Sequence, residues 1–480
     1  MQEYSSQLSL RVMSEFEGIS LGDKRLEARV IETVRTLSLA PASSFLAAAH
    51  SRTEAKAMYR LVGNDRVNMS ALLEPHVART VERCADKKSK ILVLHDTSEF
   101  EYEGDGRRDL GRLHSKRSQG FFLHASLAVE AATRRPMGVV ASKVWTRGEE
   151  LTSVIASKKT GKLRKRNGDD YAGTANRESK RWDTQARLSA RRLAGCDRVV
   201  HISDRESDIY AYLAKRIARH EHFVVRLARD KKARTSTHEP LESLVEIAKR
   251  ASGVVRAQVP LTRRRASSAP RSEKVHPSRE ARDAKLEFAA VCAEIRAPRY
   301  CDPRHPQTLP VNVVHVRELD APSEQLPVEW FLLTSEPIDT PEQVAEVVEF
   351  YRARWLIEEF FKALKTGCMM EKRELDSLQT LTNTLALCIP IAAHLLALRH
   401  LARETPDEPA SKILSPEQIK ILQKKARLRE NPSAHDALVA VAYLGSYFTW
   451  NDKKKPGWRV MARGMERLLA LEEGWLAHGI

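Results

Sequence analysis

The alternation of strand and helix that decides the fold is clearest in residues 198–228, RVVHISDRESDIYAYLAKRIARHEHFVVRLA. The segments RVVHIS and HFVVRLA are short apolar runs with the length and composition of buried strands. Between them, IYAYLAKRIARH repeats its apolar residues at helical spacing. A strand, a helix and a second strand in this order are typical of a mixed α/β sheet.

The same pattern extends outward in both directions. Upstream, KILVLHDTSEFEY, GFFLHASLAVEAA and MGVVASKVW predict three strands, the first of which ends in a polar turn after His95. ESKRWDTQARLSARRLA predicts a helix. Downstream, GVVRAQVPL, KLEFAAVCAEIRA, PVNVVHVREL and WFLLTSEP predict a strand-rich insertion at about 235–335. A capping box of Thr340 and Gln343 then predicts the start of one long helix that ends near Gly367. The first 75 residues and the segment after residue 372 are mainly helical in pattern.

The composition favours a polyanionic partner. The 480 residues include 80 Lys plus Arg against 63 Asp plus Glu, a formal net charge of +17. An excess of this size is typical of proteins that bind nucleic acid, although a chain can also be basic without a specific partner. The six cysteines are widely spaced, which argues against a zinc ribbon and for a reducing compartment. We expect no secretory signal and no membrane span, since the apolar run 385–398 is too short to cross a bilayer.

Three carboxylates stand out by position. Asp96 and Asp204 each follow an apolar strand segment, and Glu358 lies within the helix that begins near residue 340. Carboxyl ends of neighbouring strands are where open α/β sheets place their sites. Carboxylate oxygens are the ligands that Mg²⁺ prefers, and two such ions can promote displacement at phosphorus. The alternative for each Asp is an ordinary turn residue.

The helix around Glu358 carries further polar residues on one face. Tyr351, Arg354, Glu358 and Lys365 fall within an arc of about 60° at 3.6 residues per turn, and Lys362 joins this stripe. A face of this composition is expected to stay out of the core, and a metal-binding carboxylate flanked by cations suits a phosphate-bearing substrate. The alternative is a solvated face held by salt bridges.

The spacing Tyr351-x2-Arg354-x3-Glu358-x6-Lys365, in YRARWLIEEFFKALK, resembles the signature of the insertion-sequence-four family of bacterial DDE transposases. The likeness extends over nearly the whole chain. LGDKRLEAR and AMYRLVGN resemble the DNA-binding region of that family, and HDTSEFEY and SDRESDIYAYL resemble the segments that hold its two catalytic aspartates. The basic segments 158–166 and 261–285 have no clear counterpart.

This resemblance implies a fold and a domain organisation. The fold class would be α/β, a ribonuclease-H-like mixed sheet with a β insertion, flanked by helical N- and C-terminal domains. Residues 1–75 would bind transposon ends, residues 76–372 would form the catalytic domain with the insertion at about 235–335, and residues 373–480 would mediate dimerisation.

The resemblance also implies roles for individual residues. Asp96, Asp204 and Glu358 would be the catalytic triad and would bind Mg²⁺, which Mn²⁺ can replace. The residues that would contact DNA are Tyr351, Arg354, Lys365, Lys362, Arg226 and Trp330. Trp330 would stack on a base flipped out during hairpin formation, and its alternative is a strand aromatic in the core.

The implied activity is cut-and-paste transposition of double-stranded DNA in the bacterial cytoplasm, in association with the nucleoid. The enzyme would cut the element from donor DNA through a hairpin intermediate and join its 3′ ends to target DNA, acting as a homodimer on transposon ends. Two alternatives stay open at this point: a non-catalytic transposition inhibitor or domesticated DNA-binding protein, and a structure-specific nuclease with the same core.

Overall fold

The structure, a computed structural model, describes residues 7–477 except 105, 114–117, 148–177, 262, 265–277, 300, 324 and 448–455. The basic segment 158–166 therefore lies outside the described residues, as does most of the tip of the segment 261–285.

The chain begins with short helices whose first turns are closed by polar side chains. Asp23, Ser44, Ser51 and Asn68 each accept a hydrogen bond from a backbone N–H in the first turn of the helix that follows. Such caps satisfy amide groups that have no partner within the helix. The helices are α1 (Gln7–Ser14), α2 (Lys24–Leu39), α3 (Phe45–Ala48), α4 (Arg52–Val62) and α5 (Met69–Ala85).

The described strands form one mixed sheet, ordered β2-β3-β1-β5-β6-β12-β11-β10-β7-β8, with β4 beside β3 and β9 beside β10. The strands are β1 (Ile91–Glu103), β2 (Gly111–Arg112), β3 (Ser118–Glu130), β4 (Pro136–Trp145), β5 (Val199–Ser203), β6 (His222–Arg226), β7 (Lys232–Arg234), β8 (Glu242–Ser243), β9 (Gly253–Leu261), β10 (Arg282–Arg296), β11 (Thr308–Leu319) and β12 (Glu329–Thr334). The helices that cross between or flank these strands are α6 (Lys180–Arg192), α7 (Tyr210–Ala218) and α8 (Leu244–Arg250).

The centre of the sheet follows the predicted strand–helix–strand order. β1 and β5 run parallel, in a register that pairs Ile91 with Val199 and ends at His95 and Ser203. β5 and β6 are also parallel and are linked by α7. The predicted β insertion is present and continues the same sheet, because β12 pairs antiparallel with β6.

One prediction for this region was wrong. The polar residues after His95 suggested that β1 ends in a turn near Asp96, but β1 continues to Glu103. It stays extended because β3 pairs with it antiparallel along its whole length, from Ile91 opposite Glu130 to Glu103 opposite Ser118. Asp96 therefore lies within a strand, at the point where its other neighbour, β5, ends.

The helix that carries Glu358 is not regular. It begins at a capping box in which Thr340 and Gln343 exchange hydrogen bonds with each other's backbone, as expected. It then divides at Arg354 into α9 (Pro341–Ala353) and α10 (Trp355–Lys362), and residues 363–367 form a wider π-type turn. The prediction of one uninterrupted helix was therefore wrong, and a single 3.6-residue repeat does not describe its faces.

The C-terminal region is helical, as predicted, with α11 (Leu378–Glu404), α12 (Pro416–Ala426), α13 (Ala434–Leu444) and α14 (Trp458–Ala477). α11 is longer than the apolar run 385–398 suggested. In the described part of the chain it alone is long and apolar enough to cross a membrane, but 78% of its most apolar window is buried inside the protein. It therefore packs as a central helix of the core.

The N-terminal helices share a core with the rest of the protein. Apolar side chains of α2 and α4 belong to one buried cluster with β1, β3, α10 and α11. Asn383 of α11, 1% exposed, donates hydrogen bonds to the carbonyl oxygens of Val62 and Val67. The mixed α/β sheet with helical regions on both sides in sequence confirms the predicted fold class.

Candidate active site

Asp96 and Asp204 lie side by side because of strand register. The parallel pairing of β1 with β5 ends at His95 and Ser203, so the next residue on each strand is an aspartate. Asp204 also begins a short 3-10 turn, and its Oδ1 accepts a hydrogen bond from the Glu206 N–H at 2.9 Å. The Asp96 Oδ1 accepts one from the Thr97 N–H at 2.7 Å.

Glu358 reaches the same place from α10, which packs against β1. Arg354 lies between the carboxylates. Its Nη2 donates to the Glu358 Oε1 at 2.5 Å, and its Nη1 lies 3.4 Å from the Asp96 Oδ2. The structure thus brings Asp96, Asp204 and Glu358 to one edge of the sheet, with one guanidinium bridging two of them.

The electrostatics of this edge favour a bound cation. Burial, and then the negative charge of Asp204, raise the pKa of Asp96 to about 7 despite the nearby Arg354. Crowded carboxylates of this kind are stabilised in their charged form by a metal ion. Among the described residues no three His, Cys, Asp or Glu side chains are grouped closely enough to hold a metal ion, and at this site Arg354 pairs with both Glu358 and Asp96. The donors are nevertheless hard oxygen ligands, which fit Mg²⁺ or Mn²⁺.

Tyr351, Arg226 and Trp330 form a layered group beside Arg354. The Tyr351 and Trp330 rings meet edge to face, with centroids 5.6 Å apart. The Arg226 guanidinium lies 5.8 Å from the Trp330 ring, and that of Arg354 lies 5.8 Å from the Tyr351 ring. Tyr351 is 6% exposed, so the expectation that this helix face stays out of the core was wrong for this residue.

Lys362 and Lys365 follow along the helix. Lys365 pairs with Glu371 at 3.0 Å and lies over the Phe100 ring. Lys362 pairs with Glu359 at 2.9 Å and lies 4.6 Å from the centre of the Trp355 ring. Lys362 lies one turn after Glu358 in α10, whereas Lys365 lies in the π-type turn and therefore leaves the regular stripe.

Two residues near the site were missed in the sequence analysis. Trp355, one position beyond the break at Arg354, is 53% exposed, which is unusual for a tryptophan. Arg181 of α6 is 8% exposed and donates to both Thr97, the residue after Asp96, and Glu206, two residues after Asp204. An apolar-looking WLIEEFF segment and one Arg within a basic helix gave no signal that distinguished them.

Three histidines near the strands are structural. His95, His124 and His201 are at most 1% exposed, and the Nε2 of His95 lies 2.9 Å from the Nδ1 of His201. Burial lowers the pKa of His95 to about 3 and also lowers the pKa of the other two. Buried, neutral side chains of this kind stabilise the packing of β1, β3 and β5.

A mixed sheet with this central order, crossed by helices and bearing a helix-borne glutamate opposite two strand-borne aspartates, defines the ribonuclease-H-like class. Residues 12–67 match the family described as transposase DNA-binding, and residues 176–396 match the family described as transposase DDE domain. The chain therefore contains one region that matches a transposase DNA-binding domain and, after it, one that matches a DDE transposase domain. Asp204 and Glu358 lie within the second match, whereas Asp96 precedes it.

Among solved structures, the chain is similar to a piggyBac transposase in a synaptic complex with hairpin DNA. The identity is 9% and the TM-score 0.30, over 83% of this chain and 66% of that one. This chain thus matches just under two thirds of that protein's length.

Proposed function

We propose that this protein is a cut-and-paste DNA transposase of the insertion-sequence-four type, similar to the transposase of transposon five. It would excise its element through a hairpin intermediate and join the 3′ ends to target DNA. The observation that carries the proposal is the register of β1 and β5, which sets Asp96 beside Asp204. Glu358 approaches the same edge within a DDE transposase domain.

Asp96, Asp204 and Glu358 would hold the divalent ions, Mg²⁺ with Mn²⁺ as a substitute. When bound, two such ions supply a nucleophile at neutral pH and stabilise the leaving oxygen in an in-line displacement. The protein's own contribution is the partly buried edge that collects three carboxylates. Arg354 offsets part of their negative charge, since it pairs with two of them.

The cations and rings around this edge would hold the DNA end. Arg354, Arg226 and Lys365 offer positive charge to phosphates, and Tyr351 supports the first two by packing against them. Residues 1–75 would bind transposon ends, residues 76–372 would carry out the chemistry and residues 373–480 would form the dimer contacts. The protein would work as a homodimer on double-stranded DNA in the bacterial cytoplasm.

The decisive experiment compares two DNA substrates in the presence of Mg²⁺. One carries the sequence that flanks the reading frame of this protein, and the other is a random duplex of equal length. A transposase cuts the first at a defined position and forms hairpin ends. A non-catalytic DNA-binding protein binds the first without cutting, and a structure-specific nuclease shows no preference for it.

The exposed side of α4 provides a test of end binding. Arg52, Lys56, Tyr59 and Arg60 are all exposed on this helix, while Met58 and Leu61 face the core. Each phosphate contact contributes about 0.9 to the slope of log affinity against log salt. We therefore expect Lys56→Ala with Arg60→Ala to reduce that slope by about 1 to 2 and to weaken binding, measured by fluorescence anisotropy.

The matched control replaces two exposed lysines of a distant helix, Lys420 and Lys425 of α12, with alanine. The total charge removed is the same, but the slope should change much less. Equal slopes for the two double variants would show that α4 has no special part in binding the end.

The hairpin step distinguishes two tryptophans. Trp330 packs against Tyr351 and beneath Arg226, whereas Trp355 is exposed beside the site. A base must leave the stack when the DNA end bends, and stacking on an aromatic ring returns about 1–3 kcal/mol. We expect Trp330→Ala to spare first-strand nicking and to slow hairpin formation by roughly tenfold to a hundredfold.

Trp355→Ala is the comparison variant, and nicked, hairpin and double-strand-break products are quantified over time for both. If only Trp355→Ala slows hairpin formation, the stacking role belongs to the exposed tryptophan. If nicking and hairpin formation fall together in Trp330→Ala, Trp330 acts as a core residue.

A further inference from the structure

Arg181 is a buried cation that contacts no part of the triad directly. It lies in the first turn of α6 with 8% of its surface exposed. Its guanidinium is close to two indole rings, 5.4 Å from the centre of Trp145 and 5.2 Å from that of Trp182. Packing of this kind restricts a long side chain to one conformation.

Three nitrogens of Arg181 donate in three directions. Nε donates to the Thr97 Oγ1 at 2.9 Å, Nη1 to the Glu178 carbonyl oxygen at 2.9 Å, and Nη2 to the Glu206 Oε2 at 2.6 Å. The planar guanidinium holds these acceptors in a fixed mutual geometry, which a lysine ammonium cannot reproduce.

Two of these acceptors belong to residues that hydrogen-bond the aspartates, Thr97 directly after Asp96 and Glu206 two positions after Asp204. The Thr97 N–H donates to the Asp96 Oδ1 at 2.7 Å, and the Glu206 N–H donates to the Asp204 Oδ1 at 2.9 Å. The Arg181 side chain therefore joins the side chains of the two residues whose backbone N–H groups orient Asp96 and Asp204.

The Thr97 hydroxyl has a second neighbour. Its Oγ1 lies 2.9 Å from the Nδ1 of His124. His124 is fully buried and meets the Trp182 ring edge to face, with centroids 4.9 Å apart. The network from Arg181 thus extends into the rigid core beneath β1 and β3.

This connection matters because the strands separate where the aspartates begin. The backbone pairing of β1 with β5 ends at His95 and Ser203, so no further ladder hydrogen bonds between these strands hold Asp96 against Asp204. Arg181 spans the two segments just beyond that point. We propose that Arg181 is a positioning residue that sets the separation of Asp96 and Asp204 and thereby the affinity of the site for divalent metal.

This inference rests on the proposed function, since it takes the two aspartates as metal ligands. The probe is Mn²⁺ alone, and its binding to the full chain is followed by electron paramagnetic resonance of the free ion. Substitution of residues that orient metal ligands typically weakens metal binding by about tenfold to a hundredfold. We expect Arg181→Gln to weaken Mn²⁺ binding by about that factor and to raise the Mg²⁺ concentration needed for half-maximal nicking. Arg181→Lys should lie between Arg181→Gln and the unmodified protein.

The control is Arg147→Gln. Arg147 belongs to the same group of side chains, lies over the Phe122 ring and pairs with Glu178 at 2.6 Å. This variant should keep Mn²⁺ affinity, and DNA-end binding should be retained by all of these variants. If Arg147→Gln weakens Mn²⁺ binding as much as Arg181→Gln does, general packing explains the effect and the proposal is overturned.

Glu206→Gln tests the contact between Arg181 and Glu206 from the exposed partner. The Glu206 side chain is 62% exposed, so its substitution should not unfold the protein. It should weaken Mn²⁺ binding, and combining it with Arg181→Gln should add little. The proposal is overturned if Arg181→Gln binds Mn²⁺ with unchanged affinity. If Arg181→Gln does not fold, unchanged Mn²⁺ affinity in Glu206→Gln overturns it instead. Failure of the triad itself is recognised separately, because Asp204→Asn would then also leave Mn²⁺ binding unchanged.

Discussion

Replacing Asp96 or Asp204 with Asn, or Glu358 with Gln, is expected to abolish DNA cleavage while leaving end binding nearly unchanged. Each substitution removes one charged oxygen donor from the edge where β1, β5 and α10 meet. Metal ions stabilise such transition states by several kcal/mol, and a loss of about 4 kcal/mol corresponds to roughly a thousandfold in rate. Affinity for DNA depends mainly on phosphate contacts made by other side chains.

The measurement is a time course of nicking in Mg²⁺, with a gel-shift assay of end binding on the same preparations. Glu101→Gln, on an exposed position of β1, and Glu342→Gln, on an exposed position of α9, are the matched controls and should cut normally. A triad variant that nicks at a near-normal rate would refute the assignment of that residue.

Glu15→Gln is expected to destabilise the whole protein by about 3–5 kcal/mol, the usual cost of removing one partner from a buried ion pair. Glu15 is 2% exposed and binds Arg83 at 2.6 Å, His76 at 2.7 Å and His394 at 3.0 Å. These partners come from α5 and α11, so the carboxylate joins the N-terminal helices to the centre of the molecule. Gln removes the charge and leaves Arg83 without its buried counterion.

His76 is a neutral donor in this cluster. Its Nε2 accepts a hydrogen bond from the Val139 N–H at 3.0 Å, so its proton lies on Nδ1, which faces Glu15. Burial lowers the pKa of His76, in keeping with the neutral ring. For Glu15, burial alone would favour the protonated form, but hydrogen bonds from His394 and His76 and the charge of Arg83 outweigh it and lower its pKa.

A lowered pKa in the folded state means that ionised Glu15 stabilises the protein above the unfolded-state value near 4.5. This stability is lost as the pH falls below that value toward the folded-state pKa. The melting temperature should therefore drop more steeply with acid for the unmodified protein than for Glu15→Gln, measured by circular dichroism between pH 7 and pH 3.

Glu17→Gln is the control, because Glu17 pairs with Arg79 on the surface with 65% of its side chain exposed. Such surface pairs contribute about 1 kcal/mol or less. A Glu15→Gln melting temperature no lower than that of the control would contradict the prediction.

Other buried contacts also join the region 1–75 to the rest of the protein. Val62 and Val67 supply the carbonyl oxygens that Asn383 requires, and apolar side chains of α2 and α4 complete the core around α11. Removal of these residues would expose buried surface of the catalytic region. The boundary at residue 75 stays a prediction, and point substitutions on α4 test end binding more cleanly than truncation does.

Much of the architecture could be predicted because its signals are local. The apolar runs VVHIS and HFVVR and the helix between them have periodicities that follow from the geometry of a few neighbouring residues. The capping box at Thr340 is equally local, and so are the four strand segments of the β insertion. The spacing of Tyr351, Arg354, Glu358 and Lys365 also stands in one short segment, so the family resemblance is visible in the amino-acid sequence alone.

The features that could not be predicted depend on residues far apart in the chain. β1 continues through polar residues because β3 pairs with it, and Tyr351 is buried because Trp330 and Arg226 lie against it. Arg181 and Glu15 are ordinary charged residues in sequence, and their importance comes from partners distant in the chain, such as Glu206, 25 positions from Arg181, and His394, 379 positions from Glu15. The amino-acid sequence by itself thus determined the elements and the chemical types available at the site. Only the tertiary structure decided which side chains meet, because burial and charge pairing arise from long-range contacts that no local repeat encodes.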